Sequence, residues 1–131
     1  MKTLIVEDDF TSRLLLQEIL KGYGPSHVAV TGQEAVQAVR MAYEANEPYD
    51  LICLDVMMPV MDGQEALKQI RAFEEERGVN PARYAKIVMT TALGDYRNRS
   101  DAYYSLCDAY VVKPIGRAAL LDELRKLALI A

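Results

Sequence analysis

One stretch decides the fold of this chain: Tyr49-Asp50-Leu51-Ile52-Cys53-Leu54-Asp55-Val56-Met57-Met58-Pro59-Val60-Met61-Asp62-Gly63. It opens with a short apolar run that Pro59 and Gly63 close, which is typical of a buried strand in a parallel sheet. Asp55 stands at the C-terminal end of that predicted strand, where ligands of open α/β sheets bind. Because a charge there is costly unless something uses it, we hypothesise that Asp55 is a nucleophile that accepts a phosphoryl group.

Four further apolar runs are predicted to be strands, and amphipathic stretches follow each of the five. The runs are Leu4–Val6, His27–Val30, Lys86–Thr90 and Ala109–Val112. The fourth predicted helix, Arg97–Ser105, has the weakest periodicity. With right-handed crossovers, this alternation predicts an α/β fold, a doubly wound five-stranded parallel sheet with five helices. In the flavodoxin-like arrangement its strand order is 2-1-3-4-5.

Local signals mark where the predicted helices begin and end. Thr31 and Glu34 have capping-box spacing and open the second helix, and Asp62 can cap the third. The stretch Glu74–Pro81 is predicted to be a charged helix end and loop on the solvated surface.

Length and composition narrow the class of protein. The 131 residues are about half hydrophobic and show no linker or break in composition, so residues 1–131 are predicted to form one domain without an effector domain. A net charge of −4 disfavours direct nucleic-acid binding. No signal peptide or membrane-spanning run is evident, so we expect a cytoplasmic protein with two reduced cysteines and no membrane insertion.

Side chains suited to chemistry stand at the ends of four predicted strands. They are Glu7 and Asp8, Asp55, Thr91 and Lys113. Clustered carboxylates repel one another and therefore bind a hard divalent cation, and Mg²⁺ suits carboxylates together with phosphate oxygens. A lysine ammonium opposes phosphoryl charge, and a threonine hydroxyl can hydrogen-bond a phosphoryl oxygen. Taken alone, each of these residues has an ordinary structural interpretation. For that interpretation to hold throughout, it would have to apply independently at all four strand ends, which favours the functional one.

The chain resembles the receiver domains of two-component response regulators, in particular the stand-alone chemotaxis type. The motifs that carry the resemblance span nearly the whole chain in the family's order: Ile5–Asp9, Asp55–Gly63, Met89–Ala92 and Tyr110–Pro114. The Asp-x-x-Met-Pro-x-Met-Asp-Gly string is highly specific.

The resemblance implies a role for each matching residue. Asp55 is the phosphoacceptor. The implied Mg²⁺ site consists of Asp8, Asp55, the Met57 backbone carbonyl and, through water, Glu7. The implied phosphoryl contacts and switch residues are Lys113, Thr91 and Tyr110. The Lys113–Pro114 peptide bond is expected to be cis.

The function implied is a phosphorylation-dependent signalling switch. A histidine kinase or phosphotransfer protein donates to Asp55, and an output protein binds the face of the fourth helix, the fifth strand and the fifth helix. The chain would catalyse only its own phosphorylation and dephosphorylation. An aspartate-based phosphohydrolase is the alternative, but that class usually has a second Asp where Met57 stands. A nucleotide- or flavin-binding module is a further alternative, although no Gly-x-Gly-x-x-Gly follows the first strand.

Overall fold

The five predicted strands form one parallel sheet in the order β2-β1-β3-β4-β5, which confirms the predicted topology. The computed structural model describes residues 1–58, 61–92 and 106–131. The strands are β1 (Thr3–Val6), β2 (Ser26–Ala29), β3 (Leu51–Asp55), β4 (Lys86–Thr91) and β5 (Ala109–Val112).

Four α-helices lie within the described residues. They are α1 (Phe10–Leu20), α2 (Gly32–Glu44), α3 (Gly63–Glu76) and α4 (Arg117–Lys126). The predicted fourth helix, Arg97–Ser105, lies outside the described residues, so the last helix is α4 here. Short 3₁₀ turns follow α1 and precede β4. In the part of the chain described, no helix is long and apolar enough to cross a bilayer.

The two faces of the sheet carry separate apolar clusters. Ile52 and Leu54 of β3 pack on the face covered by α2 and α3. Leu51 and Cys53 pack on the opposite face with α1 and α4. Every residue of β3 is buried, as its unbroken apolar run predicts for a central strand covered on both sides. Asp55 has the same parity as Leu51 and Cys53, so its side chain belongs to the α1–α4 face.

The predicted helix starts are confirmed, with one difference in detail. Thr31 Oγ1 accepts a hydrogen bond from Glu34 N at 3.1 Å, and Asp62 Oδ1 accepts one from Glu65 N at 2.9 Å. Glu34 Oε2 accepts from Val30 N at 2.8 Å. That hydrogen bond ties Val30 to the start of α2. The strand β2 ends at Ala29, one residue earlier than predicted.

Gly63 lets α3 start directly against the end of β3. Its N–H donates to Val56 O at 2.9 Å. A Cβ at this position would collide with the Asp55 carbonyl oxygen and stand 2.8 Å from Asp55 C. The glycine of the Asp62-Gly63 pair therefore allows the backbone that carries Asp55 and the first turn of α3 to lie in contact.

Glu74 contradicts the prediction of a solvated helix end, because it is fully buried, whereas Glu75, Glu76 and Arg77 are exposed as predicted. Its carboxylate accepts hydrogen bonds from Tyr43 Oη at 2.5 Å, Ala85 N at 2.9 Å and Arg71 Nη1 at 2.7 Å. A buried charge persists only when it is paired and hydrogen-bonded, and Glu74 is both. The carboxylate thereby joins α2 and α3 to the residue before β4.

Arg71 extends this network to the start of β5. Its Nε donates to Leu106 O at 2.8 Å, and its Nη2 lies 3.0 Å from Asp108 Oδ2. The same Asp108 oxygen accepts from Ile87 N at 2.8 Å. One guanidinium therefore ties α3 to the residues that precede β5, at the end of the sheet opposite Asp55.

Candidate functional site

Three polar side chains lie side by side in one row across the sheet. Val6 pairs with Leu54, so Glu7 is in register with Asp55, and Asp55 pairs with Thr90. Residues in register on neighbouring strands are about 4.8 Å apart and share a face. Glu7, Asp55 and Thr90 therefore form a continuous row on the α1–α4 face, and all three are buried.

The carboxylates at the ends of β1 and β3 form a group suited to a divalent cation. Oxygen atoms of Glu7, Asp8 and Asp55 lie within 4.8 Å of one another. Glu7 and Asp55 are buried, whereas Asp8 is exposed at the mouth of the site. Glu7 Oε2 is buried and has no hydrogen-bond partner among the atoms of the described residues. Hard oxygen donors with unused acceptor capacity fit Mg²⁺, which keeps several of its own waters.

Lys113 neutralises part of this negative charge. Its Nζ lies 2.6 Å from Glu7 Oε1 and 3.3 Å from Asp55 Oδ2. Burial by itself lowers the pKa of the ammonium, but the neighbouring carboxylates outweigh it and the pKa is raised. The cis peptide bond predicted between Lys113 and Pro114 is confirmed. Lys113 is closer to Glu7 than to the proposed acceptor, which the sequence did not indicate.

The surroundings of Asp55 make ionisation of its carboxyl group unfavourable. Burial, and after it the adjacent Glu7 carboxylate, raise the pKa of Asp55, which reaches about 8 with every neighbour included. Lys113 and the Met57 N–H, which donates to Asp55 Oδ1 at 3.2 Å, act in the opposite direction. Only 4% of the residue is exposed, so water compensates little for these charges.

The two predicted switch residues belong to the other face of the sheet. Met89 and Tyr110 are paired in register, and both pack in the α2–α3 cluster. Thr91 follows Met89 by two residues and therefore shares that face. Its hydroxyl donates to Ala92 O at 3.2 Å rather than to a carboxylate. Tyr110 is half-buried, and its hydroxyl oxygen lies in the interior.

Other site residues have contacts that the sequence did not indicate. Asp9 caps α1 by accepting from Ser12 N at 2.9 Å. That hydrogen bond lowers the pKa of Asp9. Arg13 Nη1 donates to Glu7 O at 3.1 Å and so ties α1 to the end of β1. The available signal was the position of Asp9 just before a helical period.

Comparison with known proteins agrees with this architecture. Residues 3–125 match the response regulator receiver domain family. The chemotaxis protein CheY of Halobacterium salinarum is 31% identical over 94% of this chain and 92% of its own length. The sensor protein GacS of Pseudomonas syringae is 36% identical over 95% of this chain, but the chain spans only 13% of that protein.

Two solved structures give the same result in three dimensions. The response regulator TrrA of Thermotoga maritima, in complex with Mg²⁺ and beryllofluoride, superposes with a TM-score of 0.73 at 31% identity and covers 96% of this chain and 97% of its own. The receiver domain of Ssk1 of Saccharomyces cerevisiae, crystallised with the phosphotransfer protein Ypd1, gives 0.77 at 31% identity, with 96% and 87% covered.

The chain belongs to the response regulator receiver domain family. It is a phosphorylation-dependent signalling switch of the two-component type.

Proposed function

We propose that Asp55 is the residue that accepts the phosphoryl group, from a histidine kinase or from a phosphotransfer protein. The observation that carries this proposal is the position of Asp55 between the Glu7 carboxylate and the Lys113 ammonium, at the C-terminal end of a fully buried central strand. No other described aspartate combines burial with a cationic neighbour and two adjacent acids in this way.

The transfer is an in-line displacement at phosphorus. A carboxylate oxygen of Asp55 forms the new phosphorus–oxygen bond, and the bond to the donor atom breaks with its electron pair leaving on the donor. Lys113 Nζ lies 3.3 Å from Asp55 Oδ2 and moves to a phosphoryl oxygen as the phosphoryl group arrives. The Met57 N–H holds the other carboxylate oxygen in place. The product is an acyl phosphate.

We assign the cation site to Asp8, Asp55, the Met57 backbone carbonyl and, through water, Glu7. Bound Mg²⁺ supplies charge neutralisation between the carboxylates and the phosphoryl oxygens. The unpartnered Glu7 Oε2 and the exposed position of Asp8 support this division into an inner, water-mediated acid and an outer, direct one.

The response to phosphorylation passes from the C-terminal ends of β3 and β4, where Asp55 and Thr91 stand, to the α2–α3 face of the sheet. The Thr91 hydroxyl leaves the Ala92 carbonyl for a phosphoryl oxygen, and Tyr110, which shares the α2–α3 face, repacks in response. A local change in charge then biases a two-state element. The face that includes β5, α4 and, by prediction, residues 97–105 binds the output protein. The chain acts catalytically only on its own phosphorylation and dephosphorylation.

Exposed apolar side chains close in sequence to Asp8 and Asp55 support a protein as the donor. Phe10 and Leu14 are one helical turn apart on α1 and are 63% and 49% exposed. Met57, two residues after Asp55, is 60% exposed. Exposed large apolar side chains grouped near a functional site are typical of protein docking surfaces. The Ssk1 receiver domain, a structural neighbour, forms a complex with a phosphotransfer protein.

Incubation with Mg²⁺ and acetyl phosphate, followed by intact mass measurement, tests the assignment. We expect one phosphoryl adduct on the wild type and none on Asp55→Asn. Asp62→Asn is the matched control, because asparagine also caps helices and should keep the adduct. Absence of an adduct on the wild type, with steady phosphate release from phosphomonoesters, would instead establish the phosphohydrolase alternative.

A further inference from the structure

Thr90 is a buried polar residue that the assigned chemistry does not use. It is 1% exposed, and within the described part of the chain its hydroxyl has no hydrogen-bond partner. A buried hydroxyl without a partner destabilises a fold, and valine has nearly the same shape without that penalty. An unsatisfied buried group in a native fold calls for an explanation, and a catalytic role is one.

The position of Thr90 supplies that explanation. It is the register partner of Asp55, and its side chain shares the α1–α4 face with Asp55 and Glu7. Glu7 flanks Asp55 on one side, and Thr90 flanks it on the other. The neighbouring apolar residue on this face of β4, Val88, packs in the α1–α4 cluster. Thr90 therefore places its hydroxyl on the strand next to the Asp55 carboxylate, on the same face of the sheet.

Lys113 passes close to this position. It follows β5, and its ammonium reaches Glu7 at the end of β1. The strands between them are β4 and β3, so the lysine side chain spans the ends of both strands. In the structure, Lys113 Nζ lies 3.3 Å from Asp55 Oδ2. When this ammonium moves to a phosphoryl oxygen, Asp55 Oδ2 no longer has a cation beside it.

We propose that Thr90 is a positioning residue for phosphorylation, whose hydroxyl donates to the Asp55 carboxylate once Lys113 moves to the phosphoryl group. Rotation of χ1 between staggered wells redirects the hydroxyl toward its register partner. A neutral donor then restrains the carboxylate without cancelling the charge that attacks phosphorus. This inference rests on Asp55 being the acceptor.

The test compares Thr90→Val, which removes the hydroxyl at constant shape, with Thr90→Ser, which keeps it. Without metal, Thr90→Val should melt at a higher temperature than the wild type. With Mg²⁺ and saturating acetyl phosphate, its maximal phosphorylation rate should fall at least fivefold, while the half-saturating acetyl phosphate concentration stays the same. Thr90→Ser should recover the wild-type rate to within about twofold.

The opposite outcomes overturn the inference. A Thr90→Val protein that is phosphorylated at the wild-type rate would show that the hydroxyl has no part in positioning. A Thr90→Ser protein as slow as Thr90→Val would leave packing as the cause. A metal-free Thr90→Val protein that melts below the wild type would show that the hydroxyl already has a partner. Because each comparison is made against wild type phosphorylated on Asp55, failure here is distinct from failure of the acceptor assignment.

Discussion

Metal-free Asp55→Asn is expected to be more stable than the wild type by about 3 kcal/mol at pH 8, and the difference should vanish toward pH 4. The cause is the buried carboxylate, whose pKa in the fold is raised from 3.8 to about 8. Between these values the folded state binds more protons at Asp55 than the unfolded state, so the stability of the wild type falls as pH rises. Asparagine does not ionise and avoids this loss.

The same linkage sets the size of the expected difference in stability between Asp55→Asn and the wild type. The span from 3.8 to about 8 sets a ceiling of roughly 6 kcal/mol, at about 1.4 kcal/mol per pH unit. The variant also removes the favourable contact with Lys113, which reduces the gain. Urea unfolding in chelator from pH 4 to pH 8.5 measures the difference.

Two controls separate this effect from general acid behaviour. Asp122→Asn removes a carboxylate that is 65% exposed on α4, and its stability should follow the wild type at every pH. Added Mg²⁺ should stabilise the wild type by binding the folded state, and should stabilise Asp55→Asn much less. Parallel pH profiles for Asp55→Asn and the wild type would refute the electrostatic account of the site.

Arg71→Ala should lower the free energy of unfolding by about 3 to 5 kcal/mol, because it leaves the buried Glu74 carboxylate without its cation. The same change removes the hydrogen bonds to Leu106 O and Ala85 O. Arg71→Lys should recover only part of the loss, since a lysine cannot reproduce the fork of the guanidinium. Denaturant unfolding in Mg²⁺-free buffer gives the values.

Arg125 offers a matched comparison on α4. It pairs with Asp122 at 3.1 Å with the same i,i+3 spacing but the acid first, and both side chains are largely exposed. Arg125→Ala should therefore change stability by less than about 1 kcal/mol. Equal losses from Arg71→Ala and Arg125→Ala would mean that burial of Glu74 has no energetic consequence.

The central part of the fold was predictable because its signals are local. The apolar run of β3 and the capping residues Thr31 and Asp62 each act within a few positions of the chain. Parallel topology then brings Glu7 and Asp55 to one edge, as the sequence predicted.

The failures of prediction involve partners distant in sequence. Glu74 looked like solvated surface because its buried partner Tyr43 lies 31 residues away on another helix. The local sequence around Thr90 does not distinguish it, because its position beside Asp55 depends on strand pairing with a residue 35 positions earlier. Nor did the sequence reveal that Lys113 contacts Glu7 more closely than Asp55, since that choice depends on side-chain reach across the sheet.

Chemical mapping of the phosphoryl group tests the central claim most directly. Borohydride reduces an aspartyl phosphate to homoserine and leaves free carboxylates and phosphorylated hydroxyls unchanged. The protein is treated with acetyl phosphate and Mg²⁺, reduced, digested and sequenced by mass spectrometry. We predict homoserine at position 55 and aspartate at positions 8, 9, 50 and 62. Homoserine at any of those positions with Asp55 unmodified, or a phosphate retained on threonine, would contradict the assignment of Asp55 as the acceptor.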